Sequence, residues 1–285
     1  MDYKFVFFGT PRFSVRVLDA LESADLLPAL IVTAPDRPAG RGQEMKPSPV
    51  KVWATERGID VLAPEKIKNN EEFLAEIGNT DWDFFVVAAY GKILPSAVLE
   101  APERGVLNVH PSLLPKFRGP SPVLSAILAN ERETGVSIML LDEEMDHGPV
   151  LAAASIDIDE EDWPMKGSEL EDLLATEGGN LLAETIPQWM DDDISAEEQN
   201  HAEATYTKKF TDEDAKLDLA GDPVQNLLKI RAFDKNPRAY FIENNKRVIV
   251  TEAQIVEGKL VLSKVIPEGK KEMSFEEYLK LGTSR

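Results

Sequence analysis

The chain has no cysteine in its 285 residues. Disulfides, thiolate nucleophiles and cysteine-ligated zinc are therefore excluded. Histidine is almost as scarce, with only His110, His147 and His201. These three have no metal-ligand spacing between them and no H-E-x-x-H occurs, so no metal is expected. Long hydrophobic runs are absent too. None approaches the roughly 18–20 residues that a membrane span requires. The opening stretch Met1-Asp2-Tyr3-Lys4 lacks the basic region of a signal peptide. A cytoplasmic monomer with no membrane partner is the expectation. The glycine-rich dinucleotide fingerprint is also missing. Gly9-Thr10-Pro11-Arg12-Phe13 stands at its place with one glycine, which argues against NAD or FAD and for a tight strand-to-helix turn. Positive charge is short: 31 Lys and Arg face 51 Asp and Glu, for a net charge of −20. Taken whole, that charge repels nucleic acid.

The deficit is not evenly spread. Residues 205–285 carry 15 basic and 13 acidic side chains, so the first 204 carry 16 against 38. Two domains with different tasks fit both this asymmetry and the length. A general acidic bias, for solubility in salt, explains the surplus equally well. The expected partition is a first domain over 1–190, an acidic linker over 191–204 and a small domain over 205–285.

Hydrophobic content of 43% leaves room for a sizeable core. In the first domain, apolar runs alternate with helical spacings. Strands are expected over 4–8, 30–32, 61–62, 83–89, 106–109, 136–141 and 150–158. Helices are expected from Pro11 onward, with Thr10 as the cap, and over 50–56, 71–77, 122–130 and 168–190. Residues 35–49 read as a loop. The pattern predicts an α/β fold, a mostly parallel sheet with helices on both faces. Ligands of such sheets bind beyond the carboxyl ends of strands, where the loops after Ala89, Val109 and Leu141 are expected. The last part predicts helices over 212–219 and 223–233, then short strands over 239–242, 247–252 and 259–265.

The chemistry concentrates at Asn108-Val109-His110-Pro111-Ser112-Leu113-Leu114-Pro115. Asn108 and His110 interrupt an apolar strand two residues apart, so both project from one face. A neutral amide can donate to a developing oxyanion, and an imidazole can polarise a carbonyl or take a proton. Burial as a structural histidine is the competing explanation. The run Asp142-Glu143-Glu144-Met145-Asp146-His147-Gly148 can supply an orienting carboxylate. Asp146, before a tight-turn signal, is best placed to point inward, although charge runs are usually solvated turns. Ser112 lacks a nucleophile-elbow G-x-S-x-G. The loop Asp36-Arg37-Pro38-Ala39-Gly40-Arg41-Gly42 is basic within an acidic domain. It is either a surface loop or a clamp on phosphates.

The segment Asn108-Val-His110-x-Ser112-Leu-Leu-Pro115-x-x-Arg118-Gly119, with Asp146-x-Gly148, resembles the signature of the folate-dependent formyltransferases. Phe8-Gly9-Thr10-Pro11-x-Phe13, the loop Pro35-Asp36-Arg37-Pro38-Ala39-Gly40-Arg41-Gly42 with Met45-Lys46-Pro47-Ser48-Pro49-Val50-Lys51, and Ala89-Tyr90-Gly91-Lys92-Ile93-Leu94-Pro95 resemble the members that act on initiator methionyl-tRNA. The resemblance implies a Rossmann-like domain that uses 10-formyltetrahydrofolate as co-substrate, without a metal. It also implies a small OB-like, mainly β domain for tRNA. By that resemblance Asn108 and His110 polarise the formyl oxygen, and Asp146 orients His110 and helps remove a proton. Folate contacts would fall to Val87, Ala89, Tyr90, Gly91, Ile93, Ser112, Leu113, Leu114, Pro115, Leu141 and Gly148. Arg37, Arg41 and Lys46 would contact tRNA. Residues 256–265 connect more quickly than in the family's usual barrel, which implies either an incomplete barrel or a reduced tRNA surface. An amino-sugar nucleotide as acceptor, or hydrolysis of the folate, remains open.

Overall fold

A computed structural model describes residues 3–39 and 43–282. The chain divides into two compact units. The first comprises Met1–Gly119, Gly135–Ile156 and Asp172–Tyr206. The second comprises Pro120–Thr134, Asp157–Glu171 and Thr207–Arg285. This division differs from a cut at 190 and 204 read along the chain. Residues 191–204 go with the first unit, where Glu197 bridges Val150 in antiparallel pairing.

The strands in chain order are β1 (Phe5–Gly9), β2 (Leu30–Val32), β3 (Arg37–Ala39), β4 (Glu44–Lys46), β5 (Asp60–Leu62), β6 (Phe84–Ala88), β7 (Val106–His110), β8 (Thr134–Leu140) and β9 (Val150–Ile156). Seven of them form one sheet in the order β5-β2-β1-β6-β7-β8-β9. From β5 to β7 every neighbour is parallel. Strands buried on both faces need apolar residues at every position. β1, β6 and β7 are buried throughout. Phe5 stacks on Phe84 at 4.8 Å between ring centroids, and such a pair contributes about 0.5–1.5 kcal/mol beyond its buried area.

Helix α1 (Arg12–Ser23) buries Phe13, Val17, Leu18 and Leu21 at helical spacing. Its N-cap is Pro11, not Thr10, whose hydroxyl accepts from the Ala34 N–H instead. The turn is held by Ser14, whose hydroxyl accepts the Thr10 N–H and donates to the Ala88 carbonyl at 2.6 Å. Helix α2 (Pro49–Glu56) starts with Ser48 accepting from the Lys51 N–H and proline in its first turn. Helix α3 (Glu71–Gly78) and the short α4 (Ser96–Leu99) follow; no periodicity announced α4. The 35–49 segment, read as a loop, contains the antiparallel ribbon β3–β4, with Arg37 opposite Lys46. Arg41 lies outside the described residues.

Sheet direction corrects one expectation. β8 runs antiparallel to β7, with His110 opposite Ser137 and Leu107 opposite Leu140. Leu141 therefore lies at the amino end of β7, away from His110, and the 142–148 loop must turn back. Gly148 makes the return possible. A Cβ there would lie 2.1 Å from the Leu140 carbonyl oxygen.

In the second unit, helix α5 (Pro122–Leu128) packs on α7 (Pro223–Ala232). Strands β10 (Tyr240–Glu243), β11 (Lys246–Val256), β12 (Lys259–Pro267) and β13 (Met273–Ser274) form an antiparallel sheet in that order. Helix α6 (Gly167–Met190), which belongs to the first unit from Asp172 on, precedes them in the chain, and α8 (Phe275–Gly282) follows β13. Residues 212–219 are not the expected helix. Asp214 binds the Thr211 N–H and hydroxyl, which favours a turn over a helix. The chain then extends, and Lys216 bridges Tyr240 in parallel.

Two outcomes follow from these contacts. Gly148→Ala should lower stability by about 1–3 kcal/mol, read as a lower urea midpoint, because a backbone oxygen cannot move aside. Lys208 and Thr211 hold the Asp214 carboxyl at about 2, below its usual 3.8. A depressed carboxylate stabilises above its unfolded value and loses that contribution as pH falls through its folded one. Asp214→Asn should thus melt lower than the wild type at pH 7. The difference should shrink as pH drops from about 4 to 2.

Candidate active site

β7 presents two unlike faces. Leu107 and Val109 pack into the core cluster with Phe5, Phe7 and Leu18. Gly178 of α6 lies so close that a Cβ would sit 2.6 Å from Val109 Cγ1, so the helix seals that face. Val106, Asn108 and His110 alternate onto the other face, where Val106 joins Val6, Phe8, Phe85 and Tyr90. The polar pair stands at the carboxyl end of that face, 8% and 4% exposed.

The turn after His110 folds onto hydroxyls and backbone. Ser112 donates to the Lys116 carbonyl at 2.7 Å, and Ser137 donates to the Ser112 carbonyl while accepting from the Leu114 N–H. The Ser112 hydroxyl, 2% exposed and committed to the backbone, is a structural clamp. The turn brings the Phe117 carbonyl within 3.1 Å of His110 Nε2. A carbonyl only accepts, so Nε2 carries a proton. Nδ1 is the nitrogen left for chemistry.

That nitrogen faces Asp146. Its distance to Oδ1 is 3.7 Å, wider than a direct hydrogen bond. The other carboxylate oxygen accepts the Gly119 N–H at 2.6 Å. Asp146 has φ +49°, in the left-handed region that Asp tolerates better than most residues. The preceding acids serve the loop itself. Asp142 accepts from the Glu144 N–H and pairs with His147 at 2.7 Å, and Glu143 accepts from the Ser96 hydroxyl.

Three residues with no sequence signal beyond one motif position complete the loop. Gln199 donates to the carbonyls of Asp146 and Gly148 at 2.9 and 2.7 Å. Its amide oxygen accepts from Arg118 Nε and Nη2 at 3.1 and 2.7 Å. Arg118 also reaches His201 Nδ1 at 2.9 Å. Arg118 appears in the motif that carries the family resemblance. Gln199 and His201 lie in a stretch whose composition reads only as acidic.

Val87 and Tyr90 belong to one apolar cluster, against which Leu141 packs from the amino end of β7. Leu113, Leu114 and Pro115 are half-buried. Ala89 and Gly91 have φ of +51° and +77°, and Ile93 is 88% exposed. The Tyr90 ring is buried, its hydroxyl has no partner among the described residues, and burial pushes its ionisation up. No side-chain hydrogen bond engages Asn108 among the described residues, leaving its amide free for a ligand. Arg37 and Lys46 stand exposed on the β3–β4 ribbon. Among the described residues no group of three or more His, Asp or Glu could hold a metal ion.

The amide, imidazole and carboxylate form a site that can stabilise negative charge on a carbonyl oxygen and handle one proton. Comparison with known proteins agrees with that chemistry. A family model described as formyl transferase matches residues 3–186. A methionyl-tRNA formyltransferase from Sulfurihydrogenibium sp. (strain YO3AOP1) is 39% identical over 257 residues, 90% of this chain and 82% of that protein. Among solved structures, a methionyl-tRNA formyltransferase from Clostridium thermocellum aligns at TM-score 0.63 and 14% identity, over 93% of this chain and 98% of its own. An N-formyltransferase from Helicobacter canadensis, in complex with folinic acid and dTDP-3-aminofucose, aligns at 0.64 and 17%, over 95% and 98%. The two structures speak for the shared fold. The sequence matches extend from the first strand through the carboxylate loop, and on that span the chain belongs to the formyl transferase family.

Proposed function

We propose that this enzyme transfers the formyl group of 10-formyltetrahydrofolate to the α-amino group of methionine on initiator methionyl-tRNA. The observation that carries this reading is the extent of identity to a methionyl-tRNA formyltransferase, over 90% of the chain. The arrangement of Asn108, His110 and Asp146 supports it.

The co-substrate supplies a formyl carbonyl on nitrogen. The amine forms a bond to the formyl carbon, the bond to the folate nitrogen breaks, and one proton passes from the amine to that nitrogen. Asn108 donates to the formyl oxygen as negative charge develops there. His110 has Nε2–H committed to Phe117, so it acts through Nδ1. When Nδ1 takes up a second proton the ring becomes an imidazolium, and the 3.7 Å gap to Asp146 leaves that proton able to reach the formyl oxygen. Asp146, near both, takes the amine's proton in transit. Ser112 does not attack, and no acyl-enzyme forms.

The acceptor is read from the β3–β4 ribbon. Arg37 and Lys46 are exposed and directly opposite one another. Like charges so placed destabilise a hairpin, and an anionic partner relieves the repulsion. A tRNA acceptor stem supplies phosphates, with Arg41 as a further contact. The folate lies along Val87, Tyr90, Leu113 and Leu114 in this reading.

The deciding assay is mass-detected formyl transfer to methionyl-initiator-tRNA, against an amino-sugar nucleotide and against water. Turnover on the sugar, or release of free formate, with none on the tRNA would sink the proposal. His110→Ala should lower kcat by about 100-fold or more with little change in unfolding midpoint. Arg37→Ala with Lys46→Ala should raise the KM for tRNA severalfold more than that for folate. The rate at subsaturating tRNA should fall with salt, and a flat response would count against phosphate contacts.

A further inference from the structure

Arg118 is 1% exposed, the most buried charged side chain among the described residues. No carboxylate pairs with it there. Its fork is met by neutral acceptors only: the Gln199 amide oxygen, His201 Nδ1 and, at 3.3 Å, the Tyr206 hydroxyl. Burying a cation without a counter-charge costs several kcal/mol, and an apolar side chain of similar volume serves stability as well or better. Stability does not account for this arginine.

Its partners point to what does. Arginine only donates, so the Gln199 oxygen must face Arg118 and its NH₂ must face away. Away from Arg118 lie the carbonyls of Asp146 and Gly148, both bonded by that NH₂. The guanidinium thus sets the direction of the amide, and the amide holds both ends of the turn that carries the Asp146 carboxylate. Arg118 is also followed by Gly119, whose N–H binds that carboxylate at 2.6 Å. Two routes from one residue converge on one side chain. His201, stacked on His147 at 4.1 Å with rings 3° from parallel, must present a bare Nδ1 to Arg118.

We infer that Arg118, Gln199 and His201 form one positioning unit, which holds the Asp146 turn and so sets the spacing between Asp146 and His110. None of the three touches the reacting atoms. The inference rests on the formyl-transfer reading for its kinetic readout, but its structural half does not. A misplacement of about 1 Å at a reacting group can cost about 100-fold in rate.

The test is Gln199→Glu. A glutamate keeps the volume and gives Arg118 a better partner, but it cannot donate to the two carbonyls. The expected result is a kcat for methionyl-tRNA at least about tenfold lower, KM values within about threefold, and a displaced pH profile of kcat. The ring signals of His110, identified by their loss in His110→Ala, should shift in NMR spectra recorded without substrate. A wild-type kcat or unmoved His110 signals in a folded variant would overturn the inference. If Gln199→Glu does not fold, His201→Leu at an exposed position carries the test. A severalfold lower kcat with the same signal shift supports the unit, and wild-type behaviour refutes it. A wild-type enzyme inert toward methionyl-tRNA overturns only the acceptor assignment. The signal shift still decides the positioning unit.

Discussion

The Asp146 carboxylate is where the constraints of this structure meet. One oxygen is fixed by the Gly119 N–H, the other faces His110 Nδ1, and the backbone beneath it is left-handed. A non-glycine residue in that region persists only where its surroundings hold it. Here the holding groups are the Gln199 amide on the flanking carbonyls and the close approach of Gly148 to Leu140. Loosen them and the imidazole keeps its place on β7 but loses the carboxylate that faces it.

The fold delivers the rest by dividing one strand between two jobs. On one face of β7, Leu107 and Val109 are sealed under α6. On the other, Asn108 and His110 end an apolar row. The reversal of β8 makes the 142–148 loop travel back along that second face. The carboxylate therefore arrives on a return path, which requires tethers, and the polar residues that serve as tethers are spent on backbone atoms.

How much of this was legible in the sequence follows from the range of each interaction. Period-two spacing put Asn108 and His110 together, and apolar runs located every strand of the main sheet to within a few residues. Local signals misled at 212–219, where an Asp–Thr turn and pairing to a distant strand overrode helical spacing. They were silent on the β3–β4 ribbon, whose exposed residues carry no apolar alternation. The direction of β8 was invisible, because a buried strand reads the same either way. Gln199 was hidden for a related reason. Its partners are backbone carbonyls 51 and 53 positions away and an arginine 81 away, so no neighbouring residue announces it.

In the proposed mechanism the charge of Asp146, held at a set distance from His110, drives formyl transfer. Asp146→Asn tests it most directly. Asparagine keeps the size and can still accept the Gly119 N–H, but it carries no charge. The single-turnover rate of transfer from 10-formyltetrahydrofolate to methionyl-initiator-tRNA should fall about 100-fold or more below the wild type, with an unchanged unfolding midpoint. A rate within about threefold of the wild type would contradict it.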